Sequence, residues 1–576
     1  MFARLFQRKK QADTFLTEEN IADDFNLLNY ETDKDAYKTN LVGTNTTGSH
    51  LKILKYDLKV EDRLKFGETS FNVGFSIHHV LTGFVNNTND NIYLLIERID
   101  NSNPPEFNIY SFDPTKENQK PFLVFNSDIM PFLILNTDHE RVLIVRNNEN
   151  AQIIVNTPDK KESFELRNFF VSDQYNGLTS QLISKIPAYH SSTFIDIDND
   201  GCPDIILDIV ENKKRKLLMF LTKSKQMVEY ELPLETGPLL FEDFDRDGFT
   251  DMCYVENTQS DSGPSLRIVY SNLSKDNVVP FSDESKDNVI TLNNIELKNA
   301  KFELKDEKTG LMKGIFSYDM KLSQFPSLIA IIRHENKLKP IILCPDIKTD
   351  NQFSFLKKKQ SKQEKLSYLS NYSPNLNIEN VVSVSCLDPY RTGREGLVLN
   401  YIEDGNFKLT FMENNLDVTN NKLSFLTLDN QDKTKKLKNR PLPGVSYTIT
   451  ADDTIMRNHS IISTSWLSLR KPLITFGLGA INTLVDDVII KIPFKKEIPL
   501  ERKLIPNSDL VLIYRDDKLE VELLLKYSFY IQAVFITLFV VLAINLLLVI
   551  GFTIVERKQE RIKKRKEAVA FNFKAL

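Results

Sequence analysis

Two segments of this chain carry the same signature: FIDIDNDGCPDIIL, beginning at Phe194, and FEDFDRDGFTDMCY, beginning at Phe241. Both read Asp-x-Asp-x-Asp-Gly-x-x-Asp after an aromatic residue. The aspartates are Asp196, Asp198, Asp200 and Asp204 in the first and Asp243, Asp245, Asp247 and Asp251 in the second. Alternate placement along a tight loop turns successive carboxylates toward one centre, and Gly201 or Gly248 supplies the backbone angle that curls the chain around it. The main-chain carbonyls of Cys202 and Phe249, at the seventh positions, are natural additional ligands. An all-oxygen cage of this charge suits Ca2+ better than zinc or magnesium. An EF-hand is excluded, because it needs a bidentate Glu at the twelfth position and a helix after it, and Leu207 and Tyr254 stand there instead. Each loop leads into strand-like sequence. Apolar stretches run from Asp204 to Val210, Leu217 to Thr222 and Met227 to Leu232, then from Met252 to Val255 and Leu266 to Tyr270, separated by short polar turns.

The loop-then-strand unit recurs in weaker copies. Apolar strands starting at Ile92, Val142, Leu328 and Leu397 are each followed by a second run, from Phe107, Gln152, Leu338 and Phe407. Together with Asp204 and Met252 the starts repeat at a period near 50 with insertions, which suggests propeller blades of four short strands. Six or seven blades are expected, with the segment from Leu51 to Val60 as a candidate late-pairing strand. A closed ring removes the open edges that so many strands would otherwise present. The lysine-rich stretches from Lys357 to Lys365 and from Lys433 to Arg440 read as solvated loops.

The 25 residues from Ile531 to Val555 contain no charge and, as a helix, would reach about 37 Å, enough to cross a bilayer with tilt. Tyr527, Phe529 and Tyr530 precede them as an interfacial aromatic belt, and seven Lys and Arg residues from Arg557 to Lys566 follow. The positive-inside rule puts that basic tail in the cytosol and everything before the span in the lumen or outside the cell. The N-terminal MFARLFQRKKQADTFLTEEN shows no apolar core of an export signal, which leaves the route of export open. Sequons begin at Asn45, Asn86, Asn272, Asn371 and Asn458.

The two acidic loops resemble the FG-GAP repeats of integrin α-subunit propellers. From about Phe84 onward the chain resembles the T-cell immunomodulatory protein family, also called linkilin. That resemblance rests on PGVSYTIT from Pro443, FGLGAINTLVDDVIIKIP from Phe476, IPNSDLVLIY from Ile505, the span, and a tail ending AVAFNFKAL. It implies a single-pass type I membrane glycoprotein with a calcium-binding FG-GAP propeller outside the cytosol, associated with cell adhesion and immune modulation. Carried over residue by residue, the cation loop is complete only in the two copies above. The fifth unit keeps Asp319 but has Lys321, Ser323 and Ser327, and the sixth keeps Asp388 and Gly393 but has Tyr390, Thr392 and Gly396. The loops near Asn86 and Asn136 have lost their aspartates.

The expected architecture is mainly β. A polar N-terminal segment (1–50) precedes an FG-GAP-type β-propeller (51–440) and a membrane-proximal β-sandwich (441–525), followed by a transmembrane helix (527–555) and a basic cytosolic tail (556–576). Gly477 and Gly479 lack the Lys-Ser/Thr of a phosphate loop and fit a turn or bulge. The charge balance, 73 Lys and Arg against 78 Asp and Glu, gives a net −5 and no reason to expect nucleic acid. The four cysteines are too scattered for a disulfide framework, and neither an H-E-x-x-H nor a G-x-S-x-G motif occurs, so an enzyme is not expected. Protein partners bound through the propeller loops are expected, in adhesion or surface modulation; the alternative is a secretory-pathway escort that holds client proteins. Phe571 and Phe573, beyond the basic block, suit docking to a cytosolic partner.

Overall fold

The computed structural model describes residues 16–32, 39–56, 66–85, 91–99, 105–116, 120–135, 141–147, 150–155, 163–165, 180–257, 264–273, 279–282, 285, 287–291, 300–304, 316–318, 324–345, 368–369, 378–388, 395–414, 420–429, 440–451, 454–460, 473–479, 484–485, 487–495, 497–500, 503–515, 518–525 and 529–574. The lysine-rich stretch from Lys357 to Lys365, most of that from Lys433 to Arg440, Asp319, Lys321, Ser323 and the loops at Asn86 and Asn136 lie outside these residues.

The chain is mainly β. Residues 1–524 form one compact unit and 525–576 a second. Among the described residues of the first unit, seven small antiparallel sheets succeed one another. Six have four strands and one has five. Six are built from consecutive strands, over residues 26–72, 77–127, 132–165, 193–232, 236–291 and 301–369. The seventh takes three strands from 381–414 and, as its outermost member, the Leu16–Asp23 strand, paired from Leu16↔Asn414 to Asp23↔Lys408. Each sheet touches the next in turn. Asn29 Nδ2 donates to Val80 O at 2.7 Å between the first and second, Met130 N–H to Ala188 O at 2.8 Å between the third and fourth, and Arg215 Nη1 to Gly237 O at 3.0 Å between the fourth and fifth. The seventh meets the first, where Asn400 Nδ2 donates to Asn26 Oδ1 at 2.8 Å.

These contacts follow from the side-chain pattern. Sheets covered on both faces need apolar residues at successive positions. Asp204–Glu211 and Thr236–Glu242 are buried along nearly their whole length, and their Ile206, Leu239 and Phe241 share one cluster between the fourth and fifth sheets. Outer strands such as Gln226–Leu232 alternate exposed with covered positions, as a sheet edge facing water should.

Two expectations are corrected here. The segment read as polar over 1–50 forms strands from Leu16 onward, because its isolated apolar residues, Phe25, Leu27, Tyr30 and Leu41, all enter one core cluster. The late-pairing strand is Leu16–Asp23; His50–Tyr56 sits inside its own sheet between Thr39–Thr44 and Phe66–Asn72.

Two further sheets complete the first unit. One joins Asn421–Asp429 to Ser508–Arg515 in parallel and to Ile474–Gly479 antiparallel; the other runs Thr454–His459, Ser446–Ala451, Asp487–Lys491, Glu497–Pro499. Phe425 and Phe476 of the first sheet and Tyr447 of the second pack together, with Phe425 stacked on Tyr447 at 5.3 Å. These two packed sheets, called the sandwich below, take in Asn421–Asp429, a strand whose nine residues are all buried, together with strands from within 441–525. Gly477 and Gly479 flank a register shift opposite Asn421 and Lys422, the expected bulge.

The second unit holds one helix, Phe529–Lys574, which is continuous through the basic block. Its exposed apolar stretch is long enough to cross a membrane by length and composition.

Candidate metal centre

Each acidic loop joins the first two strands of its sheet, between the paired residues Ile195↔Asp204 and Glu242↔Asp251. Both loops turn through two left-handed residues. These are Asn199 (φ 66°) and Gly201 (φ 90°) in one, Arg246 (φ 63°) and Gly248 (φ 88°) in the other. The glycines were visible in the pattern; the left-handed fourth position was not, since Asn tolerates it easily and Arg does not advertise it.

The hydrogen bonds repeat as well. The ninth aspartate ties the loop across its base: Asp204 Oδ2 accepts from Ile197 N–H at 3.0 Å, and Asp251 Oδ2 from Phe244 N–H at 2.8 Å. Its other oxygen accepts from the end of the third strand, Thr222 N–H at 2.8 Å or Ser271 N–H at 2.9 Å. The first aspartate accepts from the glycine, Gly201 N–H on Asp196 Oδ2 at 3.1 Å and Gly248 N–H on Asp243 Oδ2 at 3.2 Å. The fifth-position carboxylates, Asp200 and Asp247, take the amides of Cys202 and Phe249 at 2.7 and 2.9 Å.

These bonds leave specific oxygens over. Asp196 Oδ1, Asp243 Oδ1 and Asp245 Oδ1 are buried with no hydrogen-bond partner among the described residues. One oxygen from each of Asp196, Asp198 and Asp204 lies within 4.8 Å of the others, and the same holds for Asp243, Asp245 and Asp247. Asp200 and Asp251 stand outside these closest groups. Burial and the neighbouring carboxylates push the Asp198 and Asp247 acids up to about 7, and raise Asp200, Asp204, Asp243, Asp245 and Asp251. Buried carboxylates that repel one another and lack donors are in deficit of positive charge, which a hard cation supplies. Burial, with Asp200 beside it, pushes the Cys202 thiol up to about 11 and keeps it protonated, so the donor set stays all-oxygen.

Residues of the sandwich reach both loops, and nothing in the acidic signature announced them. The Arg457 guanidinium pairs with Asp196, and its main-chain N–H donates to Asp243 Oδ2 at 2.9 Å. Lys491 Nζ donates to Asn199 O at 3.0 Å, and Thr250 Oγ1 shares a hydrogen bond with His459 Nε2 at 2.6 Å. The Asn458 side chain, which begins one of the sequons, is buried and donates to Glu242 Oε1 at 3.2 Å, so the folded protein offers no glycan acceptor there.

No curated protein matches the chain. Solved structures with partial likeness include S. cerevisiae core factor (TM-score 0.33, 9% identity, 70% of this chain and 62% of that one) and the exotype rhamnogalacturonan lyase YesX (0.32, 9%, 69% and 73%). A further likeness comes from a study of two prolyl endopeptidases (0.24, 11%, 54% and 47%). The chain thus spans 62% of the length of the core-factor chain. Residues 440–521 match the family model described as ITFG1, C2 domain, a span that overlies the two sheets apart from Asn421–Asp429 and the end of Lys518–Leu525. That match, confined to residues 440–521, supports the resemblance to the T-cell immunomodulatory protein (ITFG) family.

Proposed function

We propose that the protein is a membrane-anchored, calcium-binding propeller that works by holding protein partners, in cell adhesion or modulation at the cell surface, and not by catalysis. The observation that carries the calcium reading is the pair of orphaned, buried inner oxygens, Asp196 Oδ1 and Asp243 Oδ1, at equivalent places in two loops of identical scaffold. Asp196, Asp198, Asp200 and Asp204 would hold one ion and Asp243, Asp245, Asp247 and Asp251 the other, with the carbonyls of Cys202 and Phe249 completing each set. The ions would neutralise the loops and fix their shape, which lowers the ordering cost of any contact made through them.

A seven-bladed ring is supported by the run of seven sheets and by the Leu16–Asp23 strand finishing the last of them. The FG-GAP assignment follows from that ring and the two loops. The single apolar helix serves as the anchor, and the cations after it favour a cytosolic tail with residues before the span lumenal or extracellular. The tail end at Phe571 and Phe573 is offered to a cytosolic partner. Surface labelling of intact cells tests the adhesion reading: modification of the region before the span is expected. Labelling found only after permeabilisation would reject it in favour of an escort resident in the secretory pathway.

A further inference from the structure

Both loops bond to one residue of the sandwich, Arg457, but through groups of different charge. Arg457 lies in the Thr454–His459 strand and is fully buried. Its main-chain N–H donates to Asp243 Oδ2, so the second loop receives a neutral donor. Its guanidinium pairs with Asp196 Oδ2 and is steadied by Nε donating to Ser446 Oγ at 3.0 Å, so the first loop receives a fixed positive charge. Lys491, also largely buried, brings a second cation to the same loop through Asn199 O. Meanwhile Asp196 Oδ1 stays buried and unpartnered, and one oxygen of Asp196 lies within 4.8 Å of oxygens of Asp198 and Asp204.

A cation bonded to the outer oxygen of a ligating carboxylate has two opposed effects. It orients the carboxylate, a contribution of about 10- to 100-fold in affinity. It also repels the incoming ion. Orientation of Asp196 does not depend on the guanidinium alone, because Gly201 N–H donates to the same oxygen. Repulsion is doubled by the divalent charge and poorly screened in a buried site, so it is the larger effect. We propose that Arg457 is a built-in counter-ion of the first loop, by which the sandwich holds that loop's calcium affinity below that of the second. The proposal rests on the calcium reading above. By reciprocity, an ion entering the first loop weakens the hold of Arg457 on Asp196, and so one tie between sandwich and sheets. The amide tie to Asp243 carries no such penalty.

The test is calorimetric titration of the full-length protein in detergent with calcium chloride, in two single-loop backgrounds. Asp245→Ala leaves the first loop as reporter and Asp198→Ala the second. Arg457→Met should tighten the first loop by about tenfold or more and leave the second within about threefold. Arg457→Lys, which keeps the charge and loses the fork, should leave the first loop weak. Should Arg457→Met fail to fold, Lys491→Met decides, with tightening of the first loop alone by about threefold expected. A weakened or unchanged first loop, or equal shifts in both loops, overturns the proposal while leaving two calcium sites standing. Absence of any calcium heat from the unmodified protein overturns the calcium reading and the counter-ion with it.

Discussion

The loops at Asp196–Asp204 and Asp243–Asp251 share one scaffold and sit in different surroundings. At the first, fifth and ninth positions the loops' own hydrogen bonds repeat. At the positions between them the loops part company: Asn199 against Arg246 at the fourth place, Pro203 against Thr250 at the eighth. Pro203 gives the first loop only an apolar contact toward Gly444, whereas Thr250 gives the second a hydrogen bond to His459. Lys491 lies over Gly201 with its flexible stem; Ile455 lies over Gly248 with a stiff branched side chain. The aspartates and glycines thus build the cage, and the residues between them decide how the sandwich grips it.

The largest effect that would break this comparison is loss of a site. The full-length protein should bind about two calcium ions, and Asp198→Ala and Asp245→Ala should each abolish one, a stoichiometry that calorimetry reads directly. If both variants kept two, the cages would not be the sites.

Next come the glycines. Both hold left-handed backbone, so alanine at either place carries strain of about 1–2 kcal/mol. At Gly248 the new Cβ would also lie 2.6 Å from Ile455 Cγ2, against 3.4 Å from Lys491 Cδ at Gly201. Overpacking raises the total for Gly248→Ala to about 3 kcal/mol, while Gly201→Ala stays at the strain alone, as denaturant unfolding of the two variants would reveal. Equal losses would mean that the sandwich does not press on the second loop.

Acidity gives a shallower contrast. In chelator, Asp198 and Asp247 titrate near 7 in the folded protein, well above an unfolded aspartate. Their folded forms hold protons that the unfolded chain has released, so their contribution is complete below about pH 4 and is lost as pH rises through about 7. Melting temperature without calcium should therefore fall between about pH 5 and pH 8, and saturating calcium should remove or reverse that slope. A chelated protein that grows more stable over the same interval would contradict the charge deficit assigned to the loops. Smallest is Thr250→Val, which removes the hydrogen bond to His459 Nε2 and should cost about 1 kcal/mol by urea unfolding, with calcium stoichiometry unchanged.

Much of this was legible in the chain. The acidic ladders announced themselves because ligand chemistry demands fixed residue types at fixed spacing. Strands such as Asn91–Ile99 or Ser327–His334 were readable because covered sheets require unbroken apolar runs. Leu16–Asp23 was not, because LTEENIAD is an outer strand that contributes main-chain hydrogen bonds to a partner supplying most of the apolar surface. Asn421–Asp429 escaped the sandwich for the opposite reason. Its parallel partner, Ser508–Arg515, lies far along the chain, and no local pattern encodes that pairing. Arg457 was invisible for the same cause, since its meaning depends on two aspartates more than 200 residues away.

The pairing of Leu16 with Asn414 has a consequence for how the protein is made. A ribosome delivers Leu16–Asp23 almost 400 residues before the Asn406–Asn414 strand it needs. At about 5–20 residues per second, the Leu16–Asp23 strand waits on the order of 20–80 seconds for that partner. Its Glu18, Glu19, Asn20 and Asp23 are the charged and polar residues that discourage an unpaired strand from joining other edges. The polar character that hid this strand from a pattern search also lets it stay unpaired until the end of the seventh sheet is in hand.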